Sequence, residues 1–101
     1  MRYNKLVRDK IPLILNKKGI KTSTHIADDK EYWQKLKEKL EEEVDEFLKS
    51  STEAELVDIL EVINAILDFK KINKKQLELK RKKKAKERGG LKKKIILEET
   101  N

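Results

Sequence analysis

The sequence contains no cysteine and only one histidine, one proline and three glycines among its 101 residues. The absence of cysteine excludes disulfide bonds and thiolate metal ligands. A multi-histidine zinc site within one chain is excluded as well, because His25 is the only histidine. No apolar run approaches the roughly 20 residues of a bilayer-spanning helix, and the first residues lack the apolar core of a signal peptide. We therefore expect a single-domain cytoplasmic protein without a membrane partner.

Charge is abundant and unevenly distributed. Charged residues make up 45% of the chain and hydrophobic residues 37%, with a formal net charge of +7. Residues 1–69 carry 12 basic and 15 acidic side chains, whereas residues 70–94 carry 14 basic and 2 acidic ones. The acidic and basic parts therefore need separate explanations. Because so little of the chain is apolar, we expect a second copy to cover what each helix leaves exposed, in a homodimer or homotetramer.

Helix-forming patterns cover most of the chain. The sequence predicts helices at about residues 9–18, 29–49, 52–70 and 73–87. Asp9 is expected to cap the first helix, with Pro12 in its first turn and Gly19 at its end. Thr52 and Glu55 have the spacing of a capping box at the start of the third helix.

Apolar residues recur at helical spacing in the two long central segments. The expected apolar stripes contain Trp33, Leu36, Leu40, Val44, Phe47 and Leu48 in one helix, and Leu56, Ile59, Leu60, Ile63, Ile66 and Leu67 in the next. Residues 20–26 alternate polar and β-branched side chains, and residues 94–98 also have the pattern of a short strand. The expected fold is mainly α-helical, with a central antiparallel helix pair and, as an open alternative, one small two-stranded element.

Five acidic residues form two groups on the two central helices. Glu43 and Glu46 are three residues apart and project from neighbouring positions, with Glu42 beside them. Glu55 and Asp58 repeat that spacing on the next helix. If the two helices pack as an antiparallel pair, the carboxylates converge at one side of the seam between them.

The plain alternative is a solvated acidic face, which is the usual explanation of a glutamate on a charged helix. The first acidic group has few nearby counter-charges, namely Lys39 and Lys49. Like charges beside an apolar seam destabilise a fold unless a cation neutralises them. Ligands that are all carboxylate oxygens suit Mg²⁺ or Mn²⁺, and Mg²⁺ usually binds substrate phosphates as well. The pattern therefore predicts a divalent metal site.

Two acidic motifs and two flanking segments resemble a known superfamily. Glu-Glu-x-x-Glu at residues 42–46, followed by Glu-x-x-Asp at residues 55–58, resembles the signature of the MazG-like all-α NTP pyrophosphohydrolases, which include phosphoribosyl-ATP pyrophosphohydrolase and the dimeric dUTPases. Residues 3–12 and residues 88–91 resemble one branch, small proteins predicted to act in nucleotide house-cleaning. Leu91 stands where that branch commonly has phenylalanine. The resemblance covers nearly the whole chain and implies one domain, residues 1–101.

The resemblance implies a reaction, the Mg²⁺-dependent cleavage of a nucleoside triphosphate to a nucleoside monophosphate and pyrophosphate. Glu43, Glu46, Glu55 and Asp58 match the metal-holding positions of the superfamily. Glu42 and Glu43 are the catalytic candidates. Glu42 matches a further glutamate of the superfamily, which would orient or deprotonate the attacking water. Mn²⁺ is an alternative metal.

Basic residues at both ends of the chain are candidate phosphate contacts. Lys5, Arg8 and Lys10 lie near the start of the first helix, and Lys84 and Arg88 lie one turn apart at the end of the last helix. Surface charges that serve only solubility are the equal alternative for each of them. The lysine-rich run at residues 80–86 suggests a rival function as a basic nucleic-acid-binding or antitoxin-like module. That rival is less favoured, because no aromatic residue interrupts the run to stack on bases.

Four other residues have ordinary structural explanations that we prefer to functional ones. His25 is expected to be structural or exposed. Asn64 is expected to be a packing or surface residue, on the side of its helix opposite Glu55. Trp33 and Tyr32 are expected to anchor the core, although either aromatic ring could also stack on a base.

Overall fold

The computed structural model describes residues 3–101. These residues form four α-helices, α1 (Ile11–Lys17), α2 (Asp29–Ser50), α3 (Glu53–Lys70) and α4 (Lys74–Arg88). The expectation of a mainly α-helical chain is confirmed. Within residues 3–101, none of the helices combines the length and the apolar character needed to cross a membrane.

Helices α2 and α3 pack against each other and build the core. Only two residues connect them, and the first, Ser51, has the left-handed conformation (φ 54°) that reverses the chain after α2. Near the other end of the pair, Trp33 at the start of α2 stacks on Phe69 at the end of α3, with 5.8 Å between ring centroids. The rings of Tyr32 and Phe69 meet edge to face at 5.3 Å. The two helices are therefore antiparallel, and both N-terminal aromatics of α2 serve as packing anchors.

The buried core is small and is centred on one residue from each helix. Leu36 of α2 is 1% exposed and Val62 of α3 is 7% exposed. Leu36 belongs to the apolar stripe expected for α2, but Val62 does not belong to the stripe expected for α3. Leu60, which does belong to the α3 stripe, is instead 65% exposed. Helix α3 is apolar on two faces, so the spacing of its apolar residues does not show which face meets α2.

The helix ends agree with the sequence at some positions and differ at others. The Asp28 and Asn73 side chains cap α2 and α4 by accepting bonds from the third backbone N–H downstream, at 2.8 and 3.0 Å. Asp9 does not cap α1, because that helix begins later and its N-cap position is Lys10. The prediction of a capping box at Thr52 is wrong as well. The Thr52 side chain makes no capping bond, and its hydroxyl lies 3.2 Å from the hydroxyl of Ser50.

The two-stranded element is wrong, because residues 3–101 contain no strand. Ile26 is 96% exposed and Ile96 is 81% exposed, so the two apolar segments are not paired with each other. Alternation of side chains only makes a strand possible, since an extended segment is stabilised by a hydrogen-bonded neighbour and a covered face. His25, within the first segment, has its Nε2 atom 2.9 Å from Glu31 Oε1 and is exposed.

The chain as a whole is elongated. Its radius of gyration is 18.2 Å and its principal extents are 59 × 31 × 24 Å, whereas a compact domain of about 100 residues has a radius near 13 Å. Helix α4 contributes to this shape. All of its residues are exposed except Ala85, which is half-buried.

Candidate metal centre

Three carboxylates from two helices meet at the seam between α2 and α3. One side-chain oxygen each from Glu43, Glu55 and Asp58 can be chosen so that all three lie within 4.8 Å of one another. The short link between the helices brings the first turns of α3 back alongside the second half of α2. Because Glu55 and Asp58 are three residues apart, they share one face of α3. We call these three residues the acidic triad.

Glu43 is the one charged side chain among residues 3–101 that is buried, with 8% of its surface exposed. A buried carboxylate needs a charged or hydrogen-bonding partner. Lys39, one turn earlier on α2, supplies it, with 3.2 Å between Lys39 Nζ and Glu43 Oε1. Lys39 also lies 3.8 Å from Glu42 Oε2, so one ammonium group serves both glutamates.

Glu46, the fourth predicted ligand, is exposed and lies outside the triad. Its negative charge nevertheless reaches Glu55. Partial burial raises the pKa of Glu55 above its ordinary value, and the negative charges of Asp58, Glu43 and Glu46 raise it further, in that order. The four predicted ligands therefore share one region of negative potential.

That region has the chemistry of a divalent cation site. None of the ion pairs among the described residues includes Glu55 or Glu46. A cation bound at the triad would offset the repulsion that raises the pKa of Glu55. The ligand atoms would all be oxygens, which is the preference of Mg²⁺ and Mn²⁺. The three residues thus fit the metal that the sequence suggested.

The segment that precedes α1 contributes two cations, which were predicted to bind phosphate and which pair with the acidic residues instead. Arg8 Nη2 lies 2.8 Å from Asp58 Oδ1, and Lys5 Nζ lies 3.2 Å from Glu42 Oε1. The acidic groups are thus better neutralised than their sequence neighbours indicated. These partners are separated by 50 and 37 residues, so no local pattern could have revealed them.

Lys84 and Arg88 occupy a different part of the molecule. Lys84 lines a groove between α3 and α4, together with Asn64. Arg88 is the last residue of α4 and is exposed. Among the described residues, no ion pair joins either cation to the acidic triad. The structure therefore brings Lys5 and Arg8 to the candidate site but does not bring Lys84 and Arg88 into contact with it.

A hollow adjoins the candidate site. It has a volume of about 260 Å³ and lies between residues 3–6 and α2, with Lys5, Lys39 and Glu42 among its lining residues. This volume approaches the roughly 300–1,000 Å³ of small-molecule sites. Its wall carries three lysines and two glutamates, so both signs of charge are present.

Comparisons with protein-family models, with curated proteins and with solved structures find no match for this chain.

Proposed function

We propose that this protein is a Mg²⁺-dependent nucleoside triphosphate pyrophosphohydrolase. The observation that carries the proposal is the acidic triad at the α2–α3 seam, whose carboxylate oxygens come within 4.8 Å of one another. The triad explains how the sequence motifs act together in one place. The reaction and the position of the cleaved bond come from the resemblance of those motifs to the MazG-like enzymes. We expect a non-standard or surplus nucleotide as substrate.

The residues of the chain divide the work of such a reaction among them. Glu43, Glu55 and Asp58, with Glu46 beside them, would hold the metal. Bound there, a divalent cation would neutralise phosphate charge and lower the pKa of a water molecule.

The surrounding side chains would bind the phosphates and accept a proton. Arg8 and Lys5 already lie at the carboxylates of Asp58 and Glu42, so both can reach a phosphate placed there. Glu42 would take the proton of the attacking water. The water oxygen would then bond to one phosphorus atom of the α–β linkage. The bond from that atom to the bridging oxygen would break, and the nucleoside monophosphate and pyrophosphate would separate.

The direct test is product formation. Purified protein with Mg²⁺ is incubated with a panel of canonical and modified nucleoside triphosphates, and pyrophosphate and nucleoside monophosphate are both quantified. We expect equal amounts of the two products from at least one nucleotide. Release of neither product from any nucleotide, with Mg²⁺ or Mn²⁺, would sink the proposal.

Two substitutions assign the site. Glu43→Gln and Asp58→Asn should abolish turnover while the helical circular dichroism spectrum is kept, because each removes a ligand charge and preserves side-chain volume. Glu41→Gln is the matched control, since Glu41 is exposed on the same helix and lies outside the triad. Full activity in either site variant would remove the assignment.

We also propose that the protein self-associates, as a homodimer or a homotetramer. The elongated shape and the two-residue buried apolar core support this proposal. Sedimentation analysis of the purified chain measures the state directly.

Nucleic-acid binding is the alternative function. Helix α4 carries nine basic and two acidic side chains, and all of these are exposed. If α4 binds a phosphate backbone, affinity for duplex DNA or RNA will fall steeply with salt and will not depend on Mg²⁺. Triphosphate hydrolysis that requires the triad, together with no salt-sensitive binding, would exclude this alternative.

A further inference from the structure

A groove lies between α3 and α4, and we call it the α3/α4 groove. Its volume is about 860 Å³. Apolar side chains from both helices form its floor: Val57, Leu60, Ile63, Leu67 and Leu77. Leu60 is 65% exposed and Val57 is 56% exposed. Exposed apolar side chains that share one groove suit contact with another apolar group.

The rim of the groove is cationic. Lys74, Lys80, Arg81 and Lys84 of α4 line it. Two carboxylates line it as well, but Glu78 already binds the Arg81 guanidinium at 2.6 Å. An occupant that complements the groove is therefore apolar along its length and acidic at the side that meets α4.

One segment of this chain has that character. Ile95, Ile96 and Leu97 are consecutive apolar residues that are 79%, 81% and 77% exposed. Glu98 and Glu99 follow them directly and take part in none of the ion pairs among residues 3–101. We call residues 95–99 the apolar–acidic segment. Because its side chains are exposed, it does not occupy the α3/α4 groove of its own chain.

The exposed area argues that the occupant comes from a second copy. The accessible surface of the chain is 9845 Å², whereas a compact folded chain of 12.0 kDa exposes about 6,000 Å². The surplus of about 3,900 Å² exceeds the roughly 1,000–2,500 Å² that each chain of an obligate homodimer buries. Two copies that exchange their segments would cover both grooves by one two-fold operation.

We propose that the α3/α4 groove is the docking surface for the apolar–acidic segment of a second copy of this chain. The three apolar side chains cover the groove floor, and Glu98 and Glu99 pair with the lysines of α4. The exchange is reciprocal, so each copy contributes one groove and one segment. The inference does not depend on the hydrolase activity, because its test contains neither metal nor nucleotide.

A charge-swap experiment on the full chain tests the exchange. The segment variant carries Glu98→Lys and Glu99→Lys, and the groove variant carries Lys80→Glu and Lys84→Glu. Each variant alone places like charges at both contacts. The dimer dissociation constant, measured by sedimentation equilibrium, should therefore rise about tenfold or more in each. An equimolar mixture of the two variants should recover association, because both contacts then join opposite charges.

Two further variants complete the design. The quadruple variant, with all four changes in one chain, should also associate as the original chain does. Lys17→Glu with Lys18→Glu changes the net charge as the groove variant does, but at exposed positions at the end of α1, and should leave the dissociation constant within about twofold. Circular dichroism of every variant checks that the helices are retained.

Three results would overturn the proposal. Recovery in the quadruple variant without recovery in the mixture would mean that the segment binds the groove of its own chain. Undiminished association of the segment and groove variants would place the interface elsewhere. A chain that remains monomeric at every concentration would mean that another molecule covers the groove. In all three cases the proposed hydrolase activity would still await its own assay.

Discussion

Glu55 takes part in no ion pair among the described residues, although three neighbouring carboxylates repel its negative charge. Its pKa is raised first by partial burial and then by three neighbouring carboxylates, while Arg8 and Lys5 pair with Asp58 and Glu42 instead. A raised pKa means that the folded protein disfavours the charged form of Glu55. At the scale of single residues, the site is therefore a region whose charge a bound cation would balance.

This imbalance predicts a specific pH dependence. Because the pKa of Glu55 is higher in the folded than in the unfolded protein, the folded form binds its proton at a higher pH. The stabilising effect of that proton is complete below the unfolded pKa and is lost as the pH rises through the folded pKa. The free energy of unfolding of the original chain, relative to Glu55→Gln, should therefore rise as the pH falls through this window.

Urea unfolding of both proteins across that pH range, without metal, measures the difference. Groups that titrate alike in both proteins cancel, including Glu78, whose pKa is lowered by its hydrogen bond to Arg81. A difference that stays constant with pH would contradict the altered pKa of Glu55.

Arg8 is expected to compete with a metal for Asp58. The pair is about half exposed, so its contribution to stability is small, on the order of 0.2–1 kcal/mol. Arg8→Gln should therefore lower the free energy of unfolding by less than about 1 kcal/mol. Affinity for Mn²⁺ should increase, because one competing cation is gone. The KM for the nucleotide should rise, because a phosphate contact is also lost.

Titration calorimetry with Mn²⁺ and steady-state kinetics give the two readouts for Arg8. Lys18→Gln, an exposed change at the end of α1, is the control. Weaker Mn²⁺ binding by Arg8→Gln would show that Arg8 organises Asp58 for the metal and does not compete with it.

At the scale of the elements, the α2–α3 pair carries the packing and α4 carries the charge. Leu36, in the first half of α2, is 1% exposed. The aromatic cluster of Trp33, Tyr32 and Phe69 closes the end of the pair that is far from the connecting residues. The acidic triad lies toward the other end of the pair, near the connecting residues. The packing of α2 against α3 therefore holds the triad residues in place.

Leu36→Ala should lower the free energy of unfolding by about 2–5 kcal/mol, because it opens a cavity where α2 meets α3. Leu60→Ala is the matched control within the same helix pair. It should cost well under 1 kcal/mol in dilute protein, where the groove is uncovered. Chemical denaturation of both variants at low protein concentration tests the difference. Equal losses would mean that the buried face of α3 has been assigned incorrectly.

At the scale of the whole molecule, the main feature is the exposed apolar floor of the α3/α4 groove. A monomer with a radius of gyration of 18.2 Å has little to stabilise it when only two apolar residues among residues 3–101 are buried. The proposed association would therefore contribute to the stability of the fold, and the two properties would be coupled by mass action.

The thermal unfolding midpoint should accordingly rise with protein concentration. Leu60→Glu should remove most of that rise, because it places a charge on the groove floor. Glu53→Gln, an exposed change at the start of α3, should leave the rise intact. Scanning calorimetry over a hundredfold concentration range makes the comparison. A midpoint that is independent of concentration in the original chain would contradict coupled folding and association.

The structural features that could be predicted from the sequence are those that depend on residues close together in the chain. The four helices and the shared face of Glu55 and Asp58 follow from spacing and side-chain type within a few residues. The convergence of the triad needed only the further assumption that the central helices pack in opposite directions.

The acidic pattern of the two central motifs can thus be recognised in the sequence. The residues that neutralise it cannot. Arg8 reaches Asp58 across 50 residues, and such a contact depends on how loops close and helices dock. The same reason explains why Val62 is buried and Leu60 is exposed. An apolar residue has no buried face until a second element covers it, and the folded arrangement alone specifies which element does so.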